Sequence, residues 1–214
     1  AIESNNNYIT IAGVDIKIAC IGARRDNPKC NPGATPIFRD IFDIPEQDID
    51  VVVELIGGVE VARELILKSI RAGKHVITAN KAVIFNHGDE IFAEANKNKV
   101  KVLFEAAVCA GTPIVKMLKE ELAPNKIKKI SGMLNGTSNF ILSNMEEGNE
   151  FDDTLELAQK EGYAEPDPSF DIEGVDAAHK IGLLSSIAYG SSLPPKDFAT
   201  SIASLITTLY GISG

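Results

Sequence analysis

Cysteine is scarce in this sequence, and its few copies follow no pattern typical of a site. The three thiols, Cys20, Cys30 and Cys109, are odd in number and show neither a CxxC spacing nor a Cys/His metal-binding arrangement. A disulfide framework and a structural zinc site are therefore not expected. We predict that the thiols are reduced.

Long apolar runs and an excess of positive charge are also missing. No run approaches the roughly 20 apolar residues of a membrane span, and the first twenty residues lack the basic and apolar regions of a signal peptide. Thirty acidic against 21 basic side chains give a net charge of -9, which disfavours binding to nucleic acid or to an anionic membrane. We therefore expect a cytoplasmic protein with neither kind of partner.

The sequence also lacks the glycine-rich motif with which many folds bind phosphate groups. Dinucleotide-binding folds usually carry GxGxxG after their first strand, yet no two glycines of this chain are separated by a single residue. Either the fold is not of this type, or the first strand and its loop are missing from a partial chain. The chain begins at Ala1 without methionine, and residues 1–12 have the character of a helix end. These two features favour the partial chain.

What is present is a regular alternation of two patterns. Between residues 16 and 103, short β-branched runs alternate with amphipathic stretches, which is typical of a parallel sheet with crossover helices. The patterns predict strands at 16–22, 50–57, 75–78 and 100–108, and helices at 59–73 and 88–99. We therefore predict an α/β fold with an incomplete, doubly wound parallel sheet of the Rossmann type.

The pattern changes near residue 110. After this point we predict one strand and several helices: a helix up to Pro124, a strand at 126–134, and helices within 135–148, 152–162 and 174–190. This mixture is typical of an α+β unit. We therefore predict two domains, at residues 1–110 and 111–214.

Several candidate ligand-binding residues follow predicted strands, where open parallel sheets bind their ligands. Gly57 and Gly58 would let the main chain approach a ligand before a helix N-terminus. A tight strand-to-helix turn explains the same pair equally well. Arg24 and Arg25 stand where arginine accommodates the 2′-phosphate of NADP, although Asp26 follows directly.

Two lysines are candidates for proton chemistry. Lys81 follows the predicted strand at 75–78, although a lysine in a loop is more often a solvated charge. Asp176 and Lys180 lie one helical turn apart, where a surface pair would stabilise the helix by about 0.2–0.5 kcal/mol. The apolar residues around this pair predict a buried helix. A buried ion pair costs desolvation and is often kept for function.

The stretch before this pair is rich in carboxylates. Glu165, Asp167, Asp171 and Glu173 precede Asp176 within twelve residues. An EF-hand calcium loop is excluded, because its glycine and glutamate positions are occupied here by isoleucine and alanine. Two prolines stiffen the stretch, so that Glu165 and Asp171 could bind an ammonium group. A rigid, exposed acidic turn remains the alternative.

Cys109 could attack an aldehyde as a thiolate. Its sequence neighbours are small and apolar, and none is a base that would lower its pKa. Packing is therefore the preferred interpretation.

Five motifs together resemble homoserine dehydrogenase, in that family's order and spacing. They are "VVVELIGG", "VITANKAV", "FEAAVCAGTPI", "LNGTSNFIL" and "EGYAEPDPSFDIEGVDAAHK". The resemblance spans residues 16 to 190 and fades beyond them. It implies an NAD- or NADP-dependent interconversion of aspartate 4-semialdehyde and L-homoserine, a step toward threonine, methionine and isoleucine. It also implies a homodimer, with a nucleotide-binding domain at 1–110 and a substrate-binding and dimerisation domain at 111–214.

The resemblance assigns a role to each motif. Lys180 would be the proton donor, Asp176 would orient it and Lys81 would assist. The resemblance places the substrate against Glu165, Asp171, Gly136 and Thr137, with the first two at the α-ammonium. The predicted cofactor contacts are Arg24, Arg25, Gly57, Gly58, Thr78 and Lys81. A monovalent cation, sodium, would be held at Glu105, Val108, Ala110 and Thr112, largely through carbonyl oxygens.

Two alternative functions remain open at this point. A semialdehyde dehydrogenase would use Cys109 as its nucleophile and would lose all activity in Cys109→Ser. A remnant that binds no cofactor would act only as a binding or dimerisation module. Turnover of homoserine distinguishes the three.

Overall fold

The computed structural model describes residue 13 and residues 15–191. The helix end predicted at 1–12 lies outside the described residues, as does the end of the predicted second domain beyond 191. The strands are Ile21–Gly22 (β1), Ile37–Phe38 (β2), Val51–Glu54 (β3), His75–Thr78 (β4) and Val102–Leu103 (β5). The α-helices are Glu60–Arg71 (α1), Lys81–Asn98 (α2), Glu105–Val108 (α3), Ile114–Lys116 (α4), Gly136–Glu146 (α5), Phe151–Lys160 (α6), Ser169–Ile172 (α7) and Val175–Tyr189 (α8). A 3₁₀ helix covers Ile41–Glu46, and a π-helical turn covers Met117–Glu121.

The strands pair in parallel, which confirms the predicted α/β class. β3, β4 and β5 form one sheet in that order, with Val52 opposite Val76 and Val76 opposite Val102. β1 and β2 form a second, two-stranded parallel sheet. Since α1 connects β3 to β4 and α2 connects β4 to β5, these segments are the crossover helices of a parallel sheet.

One face of the larger sheet is buried under the helices. Side chains alternate along β3, so that Val52 and Glu54 are buried whereas Val51 and Val53 are exposed. α1 packs on β3 and β4 and also against α2. The main core combines these helices with the strands and with residues far along the chain, including Ile66, Ile70, Val76, Ile84, Ile91, Val115, Leu183 and Leu184. This core joins residues on both sides of position 110, and the domain boundary there stays a prediction.

The start of α2 differs from the sequence prediction and changes the setting of Lys81. The helix predicted at 88–99 begins at Lys81, because the Asn80 side chain caps it by accepting a hydrogen bond from the Val83 amide at 3.2 Å. Lys81 is therefore the first residue of a long helix and not part of a loop. A helix that begins directly after a strand end holds its first side chain in a fixed direction.

Several predicted strands are shorter or absent. The strand predicted at 16–22 is reduced to Ile21–Gly22, and that at 100–108 to Val102–Leu103, after which the chain turns into α3. The predicted strand at 126–134 is wrong, because within the described residues this segment pairs with no other strand. The carbonyl of Leu134 instead accepts a hydrogen bond from the Lys180 side chain.

No helix within residues 15–191 combines the length and apolar character needed to cross a bilayer.

Candidate active site

The site is centred on the carboxylate of Asp176, which is 2 % exposed. One carboxylate oxygen is paired with the Lys81 ammonium. The other accepts hydrogen bonds from Lys180 Nζ at 2.8 Å and from Asn135 Nδ2 at 2.9 Å. Two cationic side chains therefore meet at one buried anion.

Three separate segments bring these groups together. Lys81 is held at the start of α2, 95 residues before Asp176. Asp176 and Lys180 share one face of α8, since they are four residues apart in a helix. Asn135 precedes α5 and caps it, because its Oδ1 accepts a hydrogen bond from the Ser138 amide at 2.7 Å. The prediction that Asp176 and Lys180 lie on a largely buried helix is confirmed.

The electrostatics of the site keep Asp176 ionised. Burial by itself would raise the pKa of this carboxyl, but the hydrogen bonds from Lys180, Lys81 and Asn135 outweigh it. The pKa of Asp176 therefore lies below its ordinary value of 3.8. A carboxylate that is ionised at neutral pH can hold both ammonium groups in place there.

Lys180 keeps part of its hydrogen-bonding capacity for a ligand. Its ammonium donates to Asp176 and also to the carbonyl oxygen of Leu134 at 2.8 Å. No other acceptor is found for this ammonium among the described residues. Because an ammonium group has three N–H donors, one N–H of Lys180 remains free for a ligand. A substrate oxygen beside Lys180 would receive that third N–H.

A second carboxylate, Asp171, is linked to the first through Asn135. Asn135 Nδ2 donates to Asp171 Oδ1 at 2.7 Å. The Thr137 hydroxyl shares its single hydrogen between Asp171 Oδ2 at 2.9 Å and the Tyr163 carbonyl at 2.7 Å. Each carboxylate oxygen can accept a further hydrogen bond. Asp171 can therefore still bind a cation while its own orientation is fixed.

The other predicted substrate residues differ in their surroundings. Thr137 is buried in the first turn of α5, where Gly136 is exposed. The side chain of Glu165 is exposed, and only its main-chain carbonyl is engaged, by Gln159 Nε2 at 3.3 Å. Asp167 accepts hydrogen bonds from the amide and hydroxyl of Ser169, which hold its pKa below the ordinary value. These last contacts are those of a turn that leads into α7.

The ends of β3 and β4 are joined by a buried carboxylate that was not predicted from the sequence. Glu54 is 1 % exposed and accepts hydrogen bonds from the Thr78 hydroxyl at 2.5 Å and from the Ile56 amide at 2.8 Å. The Thr78 hydroxyl in turn accepts the Asn80 amide at 2.9 Å. The side chain of Thr78 is thus committed to this network, which leaves its main chain as the part available to a cofactor.

The loop after β3 offers an open surface of main chain. Gly57 and Gly58 have φ angles of 73° and 72°, in the region that favours glycine. A Cβ atom at either position would meet no atom within 4 Å. Asn80 Nδ2 fixes this loop by donating to the Gly58 carbonyl at 2.6 Å. A flat ligand could therefore lie against these two residues.

Arg24 and Arg25 are exposed directly after β1. The neighbouring Asp26 carboxylate accepts a hydrogen bond from Arg39 Nη2 at 2.6 Å. Within the described ranges, neither Arg24 nor Arg25 forms an ion pair. Their charges thus remain available to an anionic group.

The predicted cation-binding loop is compact. Both carboxylate oxygens of Glu105 accept main-chain amides, those of Val115 at 2.6 Å and Lys116 at 3.0 Å. Cys109 follows α3, is half-buried and packs against the main core. In the part of the chain that the structure describes, no group of three His, Cys, Asp or Glu side chains could hold a metal ion.

Two family models match consecutive parts of the sequence. Residues 2–105 match the model described as "Homoserine dehydrogenase, NAD binding domain", and residues 113–209 match the model "Homoserine dehydrogenase". Together they cover nearly the whole chain.

Individual relatives carry the same name. Homoserine dehydrogenase from Pseudomonas aeruginosa is 58 % identical over 184 residues, which are 85 % of this chain and 42 % of that protein. The crystal structure of a homoserine dehydrogenase from Thiobacillus denitrificans has a TM-score of 0.84 at 49 % identity, covering 90 % of this chain and 46 % of the other. A hyperthermophilic archaeal homoserine dehydrogenase in complex with NADPH has a TM-score of 0.66 at 35 % identity, over 71 % and 48 % of the two chains.

The chain thus spans less than half the length of these relatives. Both family models and the relatives agree with the order of motifs in the sequence. The chain belongs to the homoserine dehydrogenase family.

Proposed function

We propose that this chain carries the substrate site of an enzyme that interconverts L-aspartate 4-semialdehyde and L-homoserine with NAD or NADP. The observation that carries the proposal is the meeting of Lys81 and Lys180 at the buried Asp176. Two ammonium groups at one point stabilise an oxygen that becomes negative when an aldehyde is reduced. The second carboxylate, Asp171, lies on the same network through Asn135.

Each residue then has a distinct role. Lys180 donates a proton to the substrate oxygen through its third N–H, and accepts it back in the reverse direction. Lys81 adds a second positive charge, and Asp176 keeps both lysines in position. Asp171 and Glu165 bind the α-ammonium of the substrate, with Gly136 and Thr137 beside them. Because Glu165 is exposed, its side chain would have to turn toward the substrate.

The strand ends fit a nicotinamide nucleotide. Gly57 and Gly58 present open main chain before α1, and the Thr78 main chain and Lys81 lie at the end of the adjacent strand. When bound, the nucleotide supplies or accepts the hydride.

Arg24 and Arg25 would bind the 2′-phosphate of NADP. The neighbouring Asp26 does not neutralise them, because its carboxylate is engaged by Arg39. We therefore propose a preference for NADP.

A single assay tests this function. The complete gene product should reduce NADP in the presence of L-homoserine, with a higher kcat/KM for NADP than for NAD. Cys109→Ser should retain activity within about twofold, because Cys109 packs against the core and has no role in hydride transfer. Phosphate-dependent acylation that disappears in Cys109→Ser would instead support a semialdehyde dehydrogenase. Absence of any homoserine turnover would leave only a binding module.

We also propose that the loop from Glu105 to Thr112 binds sodium and that the protein is a homodimer. Among the described residues no donor is bonded to the carbonyl oxygens of Val108 and Ala110, whereas those of Glu105 and Thr112 accept the amides of Cys109 and Ile114. Two carbonyls are thus free for a cation. Activity should be higher in sodium chloride than in choline chloride. Equal activity in the two salts would contradict the proposed sodium site.

The proposed homodimer is tested by light scattering, which should give twice the mass of one chain. A measured mass of one chain would contradict it.

A further inference from the structure

Three aromatic rings form a stack beside the two lysines. The ring of His179 on α8 lies 4.2 Å from that of Phe85 on α2, at an interplanar angle of 28°. On another side it meets the ring of Phe170 on α7 at 5.6 Å and 67°, an edge contact. The edge contact lies within the range of about 4.5–7 Å of favourable aromatic pairs, and the stacked pair is slightly closer than that range. The stack therefore ties three helical segments to one another.

Each of these segments carries a residue of the candidate active site. Lys81 lies one turn before Phe85 on α2, and Asp171 follows Phe170 directly on α7. His179 lies between Asp176 and Lys180 on α8. Because the helices are rigid over one turn, ring contacts between them also set the relative positions of the charged groups.

Phe170 also contacts Lys81 itself. The ammonium of Lys81 lies 5.1 Å from the centre of the Phe170 ring, within the range of a cation–π contact. The same ammonium is paired with Asp176. Lys81 is thus held on one side by a carboxylate and on another by an aromatic face.

His179 is placed as a neutral ring and not as a proton carrier. Its Nδ1 is buried and has no hydrogen-bond partner among the described residues. Burial and the charge of Lys81 lower the pKa of His179, and the charge of Asp176 on its own helix only partly opposes them. Among the described residues, no group is in a position to exchange a proton with this atom.

We propose that Phe170 and His179 are positioning residues, which hold the Lys81 ammonium against Asp176 through the stack of Phe85, His179 and Phe170. This inference rests on the proposed function for its kinetic part only. Within the stack, Phe170 contacts the Lys81 ammonium directly, and the ring of His179 packs against Phe170 and keeps it in position.

The first test measures Lys81 without any turnover. Competitive acetylation of the complete gene product, quantified by mass spectrometry, reports how accessible and how basic each lysine is. Phe170→Leu should raise the labelling rate of Lys81 by about two- to fivefold, the amount expected for one cation–π contact. Phe92→Leu is the matched control, since Phe92 lies on α2, the helix of Lys81, and its ring contacts the ammonium of a different lysine, Lys119, at 5.6 Å. It should leave Lys81 unchanged.

Unchanged labelling of Lys81 in Phe170→Leu would overturn the proposal, whether or not the protein turns over homoserine. Loss of homoserine turnover in the unsubstituted protein, with the expected labelling, would instead refute the proposed function alone. The two failures are therefore distinguishable.

The second test separates a ring that positions from one that reacts. His179→Phe keeps the stack and removes both nitrogens, so kcat and the KM for homoserine should stay within about twofold of the unsubstituted values. Phe170→Leu should lower kcat by about two- to fivefold with little change in KM. A tenfold or larger loss of kcat in His179→Phe would show that His179 carries a proton, and a rise confined to KM in Phe170→Leu would show substrate contact. Either result would overturn the proposal.

Stability provides an independent check of His179. A histidine whose folded pKa is depressed contributes stability that is present above its unfolded pKa of 6.5 and is lost as the pH falls below it. The urea midpoint of the unsubstituted protein should therefore fall between pH 7 and pH 5 by more than that of His179→Phe. Equal falls would contradict the buried, neutral ring.

Discussion

Replacing Lys180 with methionine is expected to lower kcat for homoserine oxidation by about 10²- to 10⁴-fold, the range found for loss of a general acid or base. The substitution removes the donor that is hydrogen-bonded to Asp176 and Leu134 and that has one N–H left for the substrate. Steady-state kinetics of the complete gene product, with NADP and L-homoserine, measure the effect.

Two further variants define what Lys180 contributes. Lys180→Arg keeps a positive charge but does not exchange a proton near neutral pH, so its kcat should also be strongly reduced. Lys160→Met changes an exposed lysine at the end of α6 and should retain kcat within about twofold. If Lys180→Met turns over homoserine at the unsubstituted rate, another group donates the proton and the assigned role of Lys180 is wrong.

Replacing Asp176 with asparagine is expected to lower the free energy of unfolding by about 3 kcal/mol at pH 7, because it leaves two ammonium groups close together without their buried counter-ion. Activity should fall as well, since both lysines lose the carboxylate that holds them. Urea denaturation followed by circular dichroism measures the stability. Asp89→Asn, an exposed change on α2, is the matched control and should stay within about 0.5 kcal/mol.

The pH dependence of this difference follows from the lowered pKa of Asp176. A carboxyl whose folded pKa is depressed contributes stability that is present above its unfolded pKa of 3.8 and is lost as the pH falls through the folded value. The gap between Asp176→Asn and the unsubstituted protein should therefore be full at pH 6 and shrink below about pH 4. A gap that is the same at pH 3 and pH 6 would contradict an ionised, paired Asp176.

The helices and strands that could be predicted from the sequence are those whose apolar residues recur at a regular spacing. The helix at 174–190 and the strand at 75–78 were placed within a residue or two, because their apolar spacing matches one type of element. The strand at 126–134 shows the opposite case. Its alternation resembles a strand, but a strand also needs a partner, and no local pattern reveals whether one exists.

The candidate site shows the same division. Asp176 and Lys180 could be paired from their helical spacing alone, whereas the contact with Lys81 joins residues 95 positions apart and depends on the tertiary fold. Asn135 was missed, although an asparagine directly before a predicted helix is a typical cap. Its second function, the link between Asp171 and Asp176, has no signal in the sequence.

Glu54 was missed for a related reason. A glutamate at the end of an apolar strand is usually a surface residue, and its burial depends on the hydroxyl of Thr78 on the neighbouring strand. The alternation of β3 does place Glu54 on the same face as Val52. The alternation of side chains along β3 was therefore the feature of the sequence from which the burial of Glu54 could have been predicted.

The most direct test of the site is a crystal structure of the complete gene product with L-homoserine and NADP. Homoserine is expected to bind with its hydroxyl oxygen within about 3.2 Å of Lys180 Nζ, with Lys81 on the same side, and with its ammonium group between Asp171 and Glu165. Homoserine bound away from Asp176, or bound there with its hydroxyl turned away from both lysines, would contradict the account.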